Sequence, residues 1–378
     1  MDIPDYLICN NGYATTEPDC LYKTTIMKPI NSELTNKYMN RLSMKIWLLL
    51  AIAIGLNACS STAPTVKPDK PMAYQTFTQP RTPPSRNFYK PPTTYSGVFQ
   101  KPGELHPAVE FWRKTYTMWR RSEVAIHDDR YLDVVYEVMA IPGYVDETLT
   151  SEQKEMVKLR RNFWKAQLAA LESKLRYNMP LNANDRQIIA KLENSGKPLN
   201  SVLIGATERV RSQRGTRERF MRGLEISRNY EQKFRKIFRD AGLPEDLAYL
   251  PHVESSFQPS ARSSAGAIGM WQFTKGAAKT FMPGGRVDLC LDPVASAVGA
   301  ANYLSYAYRK LGDWPTAITS YNHGIGGMKR AQNQVGRDFV SIVQSYDSPL
   351  FGFASRNYYA QFLAAREIAS SSMQYSLR

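Results

Sequence analysis

Glu254 is a carboxylate set among apolar side chains, as expected for a residue that donates a proton. The apolar neighbours run from Leu247 to Phe257 along the chain. Because such surroundings disfavour the charged form, we expect the pKa of Glu254 to be raised and proton donation to occur near neutral pH. Small residues follow at 263–267 and leave room for a bulky ligand. This combination indicates acid chemistry on a sugar, although a glutamate that merely ends a helix has the same pattern.

No second carboxylate is well placed to assist Glu254. Cleavage of a glycosidic bond usually uses two carboxylates that flank the bond. Asp288 and Asp292 lie downstream in the segment RVDLCLDP, where a structural role as loop anchors is favoured for both. The residues alone therefore leave the chemistry of Glu254 incomplete.

Apolar side chains recur at helical spacing from about residue 106 and predict a helical region. The stripes are Val109, Trp112, Tyr116 and Trp119; Leu132, Val135, Tyr136 and Met139; and Met156, Leu159, Phe163, Ala166 and Ala170. Thr150 and Gln153 form a capping-box pattern that opens the third helix, and a further helix is predicted over Asp185 to Asn194. We interpret the aromatic residues as core packing and expect little or no β-strand.

The chain is strongly basic, with a formal net charge of +15. A basic excess favours an anionic partner such as nucleic acid, acidic lipid or a cell-wall polymer. Nucleic acid is not expected, because zinc-finger spacing, a P-loop and an aromatic RNA-binding pattern are all missing from the sequence. Six arginines between Arg209 and Arg222 form either a solvated helix face or a surface for anionic polymer or headgroups.

Residues 44–58 have the pattern of a bacterial export signal. Lys45 precedes an apolar run from Ile46 to Leu56, which is shorter than the ~20 residues that span a bilayer. Small residues then lead to Cys59 and resemble a lipobox, in which this cysteine is lipidated and becomes the mature N-terminus. A plain signal peptide or a short core segment are the alternatives.

The segments around this signal are expected to lack a fold of their own. Residues 1–43 precede a signal that normally begins a protein, so we expect a start codon assigned too early and their absence from the mature chain. Residues 60–104 contain nine prolines and no apolar periodicity. Such a sequence favours extended polyproline II, so residues 59–104 are predicted to form a lipidated tether reaching on the order of 100 Å. With Cys59 lipidated, Cys290 is expected to remain a free thiol.

Four short segments with polar and small residues follow one another between Glu254 and Tyr358. They are Glu254-Ser255; Ser263 with Gly266-Ala267-x-Gly269-x-x-Gln272; Ser320-Tyr321-Asn322; and Ser355-Arg356-Asn357-Tyr358. In this order and spacing, residues 205–366 resemble the SLT-domain lytic transglycosylases of the lysozyme-like superfamily, and within it the membrane-bound D branch. The resemblance implies a mainly α fold, with a lysozyme-like transglycosylase domain at 205–378 and a helical accessory region at 105–204.

The resemblance also implies a mechanism that needs one carboxylate. Glu254 would protonate the glycosidic oxygen between MurNAc and GlcNAc in peptidoglycan, and the substrate's N-acetyl group would support the positive centre. Glu254 would then take the C6 hydroxyl proton while a 1,6-anhydro ring closes. Substrate binding is expected at Ser263, Gln272, Tyr321, Asn322 and Tyr358, and no metal or other cofactor is implied.

Residues next to these motifs are expected to line or support the cleft. Met270 and Trp271 are candidate cleft walls, with a core position equally open for Trp271, and His323 is expected to be structural. Many members of the family carry a glutamate where Ala354 stands here, so a second acidic helper is not expected at this position. The D branch often ends in LysM wall-binding repeats, whereas the sequence given ends at Arg378. Wall affinity is therefore expected from the cleft, the basic surface or the helical region.

The sequence thus predicts a lyase that acts on peptidoglycan strands. We expect a monomer in the periplasm, anchored through Cys59 to the outer membrane. A hydrolytic muramidase on the same fold and a non-catalytic wall-binding lipoprotein are the alternatives. The intact Glu254, Gln272 and Tyr321 favour an enzyme, because a binding module does not need the acid.

Overall fold

The computed structural model describes residues 97–376, and it is mainly helical, as predicted. The α-helices are α1 (His106–Thr117), α2 (Ser151–Arg176), α3 (Ala183–Glu193), α4 (Leu199–Leu203), α5 (Arg217–Ser227), α6 (Glu231–Asp240), α7 (Leu250–Glu254), α8 (Lys275–Phe281), α9 (Pro293–Leu311), α10 (Trp314–His323), α11 (Ile325–Val335), α12 (Phe339–Ser345) and α13 (Phe353–Ser376). The strands are β1 (Glu123–Asp128), β2 (Val135–Ala140) and β3 (Val210–Arg214). The predicted signal at 44–58, Cys59 and residues 1–43 lie outside the described residues.

The three strands form an antiparallel sheet in the order β2-β1-β3. The helix predicted over Leu132 to Met139 was wrong, because most of this stripe lies in β2. Six of the eight positions from Leu132 to Met139 are apolar, which fits a helix or a strand about equally well, so pairing with β1 decides the outcome. Strand β3 lies beyond the predicted boundary at 204/205 and pairs with β1. That boundary stays a prediction.

Helix α2 opens with the predicted capping box. The Gln153 amide donates to Thr150 Oγ1 at 3.2 Å, and the Thr150 amide donates to Gln153 Oε1 at 3.1 Å. The predicted buried face was wrong, however. Val157, Trp164, Leu168 and Leu171 are buried, while Leu159 is 60% exposed and Phe163 is 41% exposed. The helix has two apolar stripes, and the side carrying Trp164 packs in a core with the sheet that the sequence had not predicted.

Two hydrophobic cores organise the described residues. The smaller core combines one side of the sheet with α2, α3 and α4. The larger core combines α1 with the helices that follow β3, and α1 packs against α5 and α13. Phe99, near the end of the predicted tether, also packs there against Trp314 and Phe362. The first described helix therefore belongs to the core that surrounds Glu254.

The arginine run is partly a structural element. The buried Asp128 carboxylate accepts from Arg209 at 2.9 Å. Arg214, which is also buried, donates to the backbone carbonyl oxygens of Arg121 and Glu147. These two side chains hold loops of the sheet, so neither of the two predicted surface roles applies to them. Among residues 97–376, no helix combines the length and the apolar character needed to cross a bilayer.

His252 introduces a pH-dependent cost of folding. Its ring is 1% exposed between Phe220 and Phe257, and neither ring nitrogen has a hydrogen-bond partner among the described residues. Burial lowers the pKa of His252 from 6.5 to about 3. The folded state therefore stays neutral while the unfolded chain takes up a proton below pH 6.5. Stability is lost as the pH falls from that value towards 3, by about 1.4 kcal/mol per pH unit.

Replacing His252 with phenylalanine should make the protein less sensitive to acid. An aromatic ring is kept at this position and the titrating group is removed, so the loss in unfolding free energy between about pH 7 and about pH 5 should shrink by roughly 2 kcal/mol. Urea unfolding at both pH values measures this change. The same substitution at the exposed His106 is the control for replacing an imidazole with a phenyl ring. An equal loss for wild type and His252→Phe would contradict the assignment.

Candidate active site

Glu254 is the last residue of α7 and is 1% exposed. The backbone turns sharply beyond it, because Ser256 and Phe257 take left-handed conformations with φ of 52° and 57°. Ser255 fixes this turn to a second loop by donating from Oγ to the carbonyl oxygen of Met270 at 2.8 Å. The carboxylate is therefore held in place by the loop that carries Gln272.

Two buried tyrosines surround this carboxylate. The Tyr358 hydroxyl, from α13, donates directly to Glu254 Oε1. The Tyr321 hydroxyl, from α10, donates to the carbonyl oxygen of Trp271 at 3.0 Å. Burial, reinforced by the charge of Glu254, raises the pKa of both phenols well above 10.0. Both therefore remain protonated hydrogen-bond donors at neutral pH.

Tyr116 is a third tyrosine near Glu254, and the sequence did not single it out. It comes from α1, stacks on Phe220 with ring centroids 4.6 Å apart and donates to Gln361 Oε1 at 3.4 Å. Burial first, and then the charge of Glu254, raise its pKa. Its helical spacing indicated core packing, which is correct, but that spacing carried no sign of the nearby carboxylate.

The loop from 258 to 273 is shaped around Gly269 and Gln272. Gly269 has φ of 80°, and a Cβ there would lie 1.9 Å from the carbonyl oxygen of Cys290. Gln272 is buried, and its Nε2 donates to the carbonyl oxygens of Gly269 at 2.8 Å and Ala261 at 3.3 Å. Because both amide hydrogens are used, only the side-chain carbonyl oxygen is left to bind a ligand. Gln272 can therefore bind only ligand groups that donate a hydrogen bond.

Ser263 lies in the same loop but is tied to its own turn. Its Oγ accepts from the Ala267 amide at 2.9 Å, which leaves the hydroxyl hydrogen to donate elsewhere. The residue is partly exposed, unlike Gln272. The described contacts of Ser263 stay within this turn and do not reach Glu254.

Asn322 and the start of α13 are joined to the sheet. Ser355 Oγ donates to Asn322 Oδ1 at 2.7 Å. The next residue, Arg356, donates to Asp129 Oδ2 at 2.8 Å in the turn that follows β1. The sheet thus fixes the first turn of the helix that carries Tyr358. The structure brings Glu254, Tyr321 and Tyr358 together, and Asn322 is tied to the first turn of the helix that carries Tyr358.

Several neighbouring residues have structural roles. Met270 and Trp271 are 1% and 0% exposed, so neither forms a cleft wall in this structure; Trp271 packs against Phe234 and Phe238. His323 is buried, as expected for a structural histidine. Asp292 caps α9 by accepting from two backbone amides, Asp288 pairs with Arg286, and Cys290 is a buried free thiol. All three agree with the sequence-based predictions.

Residues 234–339 match the family model for the transglycosylase SLT domain. This segment is similar to that domain. It contains Glu254, Ser263, Gln272, Tyr321 and Asn322. Tyr358 and Tyr116 lie on either side of the matched segment.

Curated relatives share this segment of the chain. Membrane-bound lytic murein transglycosylase D of Escherichia coli K12 is 30% identical over 140 residues, which cover 36% of this chain and 30% of the relative. A putative tributyltin chloride resistance protein of Alteromonas sp. M-1 is 36% identical over 100 residues, covering 25% of this chain and 46% of the relative. The chain therefore spans less than half the length of these two relatives.

A solved structure also aligns with the chain. The lytic transglycosylase Slt of Pseudomonas aeruginosa matches at 17% identity over 59% of this chain and 34% of its own, with a TM-score of 0.34. A TM-score this low does not show a common fold for the whole chain. The relation to the SLT domain therefore depends on the family match.

Tyr358 lies outside the segment that matches the SLT domain, but its hydroxyl should still affect turnover because it donates to Glu254. Tyr358→Phe keeps the ring and removes the hydrogen bond to Glu254, so kcat should fall roughly 10- to 100-fold with little change in KM. Tyr359→Phe is a matched control, because the adjacent Tyr359 donates from an equally well packed ring to the carbonyl oxygen of Gln100 at 2.8 Å. The control should cost about 1 kcal/mol of stability and no activity. Equal kcat values for the two variants would contradict this role.

Proposed function

We propose that this chain is a peptidoglycan lytic transglycosylase that cleaves the MurNAc-β-1,4-GlcNAc bond without water and leaves 1,6-anhydroMurNAc ends. The observation that carries the proposal is the buried carboxylate of Glu254, which accepts a hydrogen bond from Tyr358. Glu254 lies in the segment that matches the SLT domain, and Tyr358 lies beyond it on α13. The printed name of the Escherichia coli relative supports the same activity. Because the chain spans only part of that relative, the activity of the whole protein is our inference.

Glu254 performs both proton transfers in this proposal. Its protonated form donates to the glycosidic oxygen as the bond from that oxygen to C1 of MurNAc breaks. The substrate's N-acetyl group supports the positive charge at C1. The C6 hydroxyl oxygen then bonds to C1 while its proton passes to Glu254, so the acid is regenerated and water is not consumed.

The tyrosine and the loop residues support these transfers. The Tyr358 hydroxyl stabilises the carboxylate form of Glu254 between the two steps, because its raised pKa keeps it protonated. The free carbonyl oxygen of Gln272 accepts from an acetamido N–H. Ser263, Tyr321 and Asn322 are proposed to hold the remaining polar groups of the sugars.

The missing second carboxylate favours transglycosylation over hydrolysis. By the family resemblance, a glutamate would be expected at the start of α13, two residues before Arg356, where this chain has Ala354. A hydrolase must activate a water molecule, usually with a second carboxylate. The C6 hydroxyl belongs to the substrate and is already positioned by binding, so Glu254 alone is enough.

We also propose that the enzyme is lipid-anchored in the periplasm at the outer membrane. The support is the signal pattern at 44–58, the cysteine at position 59 and the proline-rich tether. The Escherichia coli relative is named as membrane-bound, which supports attachment to a membrane. The net charge of +15 suits an anionic cell-wall polymer.

Release of soluble fragments from purified peptidoglycan tests whether the chain is an enzyme at all. We expect the wild-type chain to release soluble fragments from the polymer. A Glu254→Gln variant should bind the polymer and sediment with it, but release no fragments. Binding to the polymer without any release by wild type would contradict the proposal. That outcome would instead support the non-catalytic wall-binding alternative.

A further inference from the structure

Helix α2 has a continuous apolar and small-residue face that is exposed. Its large members are Met156, Leu159 and Phe163, which are 37%, 60% and 41% exposed. Ala166, Ala170 and Ser173 continue the same face and are also exposed. From Met156 to Ser173 the spacing between these residues alternates between three and four, as along the seam of a coiled coil.

This face belongs to a helix that is already rigid. The opposite side is buried through Trp164, Leu168 and Leu171, and the capping box fixes the N-terminus. Arg160 lies over one side of the Phe163 ring at 4.3 Å and pairs with Glu137, so the ring is oriented and its remaining surface is open. A contiguous exposed apolar stripe on a fixed helix is typical of an interaction surface.

We propose that this face pairs with the same face of a second copy of the chain, antiparallel about a two-fold axis between positions 163 and 166. In this register Met156 faces Ser173 of the second copy, Leu159 faces Ala170, and Phe163 faces Ala166. Each large side chain therefore meets a small one, and the two-fold symmetry forms each of these three pairs twice. A parallel pair would place large against large in half of the layers and small against small in the others, which packs poorly.

Charges beside the seam are complementary in the antiparallel register. Glu155 comes close to Arg176 of the second copy, and symmetry forms this pair twice. At present each pairs along its own helix, Glu155 with Lys158 and Arg176 with Glu172. These exposed contacts are worth little and can exchange partners.

The other flanking positions do not oppose the antiparallel pair. In this register Arg160 faces Gln167 and Asn162 faces Ala169, so these contacts bring no like charges together. Antiparallel helix dipoles add to the attraction. The second copy is therefore favoured on both shape and charge, and the dimer replaces the expectation of a monomer.

A charge exchange across the seam tests the register. Leu159→Lys and Ala170→Glu should each weaken dimerisation about tenfold or more, because each places a charge against an apolar partner. The double variant should regain dimerisation, since the two introduced charges face each other across the antiparallel seam in two layers. All four substituted positions of the dimer are exposed in the monomer, and lysine and glutamate are good helix formers, so folding should be unaffected.

Sedimentation velocity of the full chain over roughly two decades of concentration measures the association. A non-ionic detergent shields the apolar run 46–56 in every sample, and circular dichroism checks folding. Leu350→Lys is the matched control, because Leu350 is 56% exposed outside α2 and should leave dimerisation unchanged. A monomer at every concentration, or a double variant no better than the single variants, would overturn the proposal.

Discussion

Replacing Glu254 with glutamine should lower kcat by at least about a thousandfold. A positioned general acid or base contributes roughly 10²- to 10⁴-fold, and here one residue serves as both. Glutamine has nearly the same shape and keeps an oxygen that can accept from the Tyr358 hydroxyl, so the fold should be retained. The loss should therefore appear in turnover, with binding to peptidoglycan largely unchanged.

The rate of fragment release, measured beside cosedimentation with peptidoglycan, separates these two effects. Glu225→Gln makes the same chemical change at an exposed position on α5 and should have wild-type turnover. Substantial cleavage by the Glu254→Gln variant would show that another residue supplies the proton. Loss of both binding and folding would instead show that Glu254 is structural.

Replacing Gly269 with alanine should destabilise the protein by several kcal/mol and remove most of its activity. The added Cβ would lie 1.9 Å from the carbonyl oxygen of Cys290, and φ of 80° is itself unfavourable for alanine. The loop carrying Gln272 must then move by about 1 Å or more, and displacements of that size can cost roughly a hundredfold in rate. Thermal unfolding and fragment release measure the two effects.

Gly276→Ala is the matched control for this substitution. Gly276 lies in the first turn of α8, and a Cβ there would have no neighbour within 4 Å. Alanine is the better helix former, so stability should stay equal or rise by up to about 1 kcal/mol, with unchanged activity. If Gly269→Ala behaved like this control, the contact with Cys290 would not be what shapes the loop.

The sequence predicted those parts of the fold that depend on local signals. The capping box at Thr150 and Gln153 and the helix predicted over Asp185 to Asn194 are recognisable because neighbouring residues determine them. The strand β2 was missed because its short apolar run fits two periods, and only pairing with β1 selects one. The buried side of α2 was also wrong, since the helix has two apolar stripes and a distant sheet determines which one is covered.

The same distinction applies to the site. Glu254, Tyr321 and Tyr358 were identified by the order of short motifs, and the structure brings them together. The hydrogen bond between Tyr358 and Glu254 joins residues that are 104 positions apart in the sequence. The pair of Asp129 with Arg356 spans 227 positions, and Tyr116 comes from a different helix. No local spacing can indicate contacts that the tertiary fold creates.

Mass spectrometry of peptidoglycan digested in heavy-oxygen water tests the central claim most directly. Transglycosylation uses the substrate's own C6 hydroxyl, so the products should end in 1,6-anhydroMurNAc, one water lighter than a reducing end and free of the heavy isotope. Reducing MurNAc ends that carry the heavy oxygen would contradict the proposed mechanism. They would show that water, and not the substrate hydroxyl, completes the reaction at Glu254.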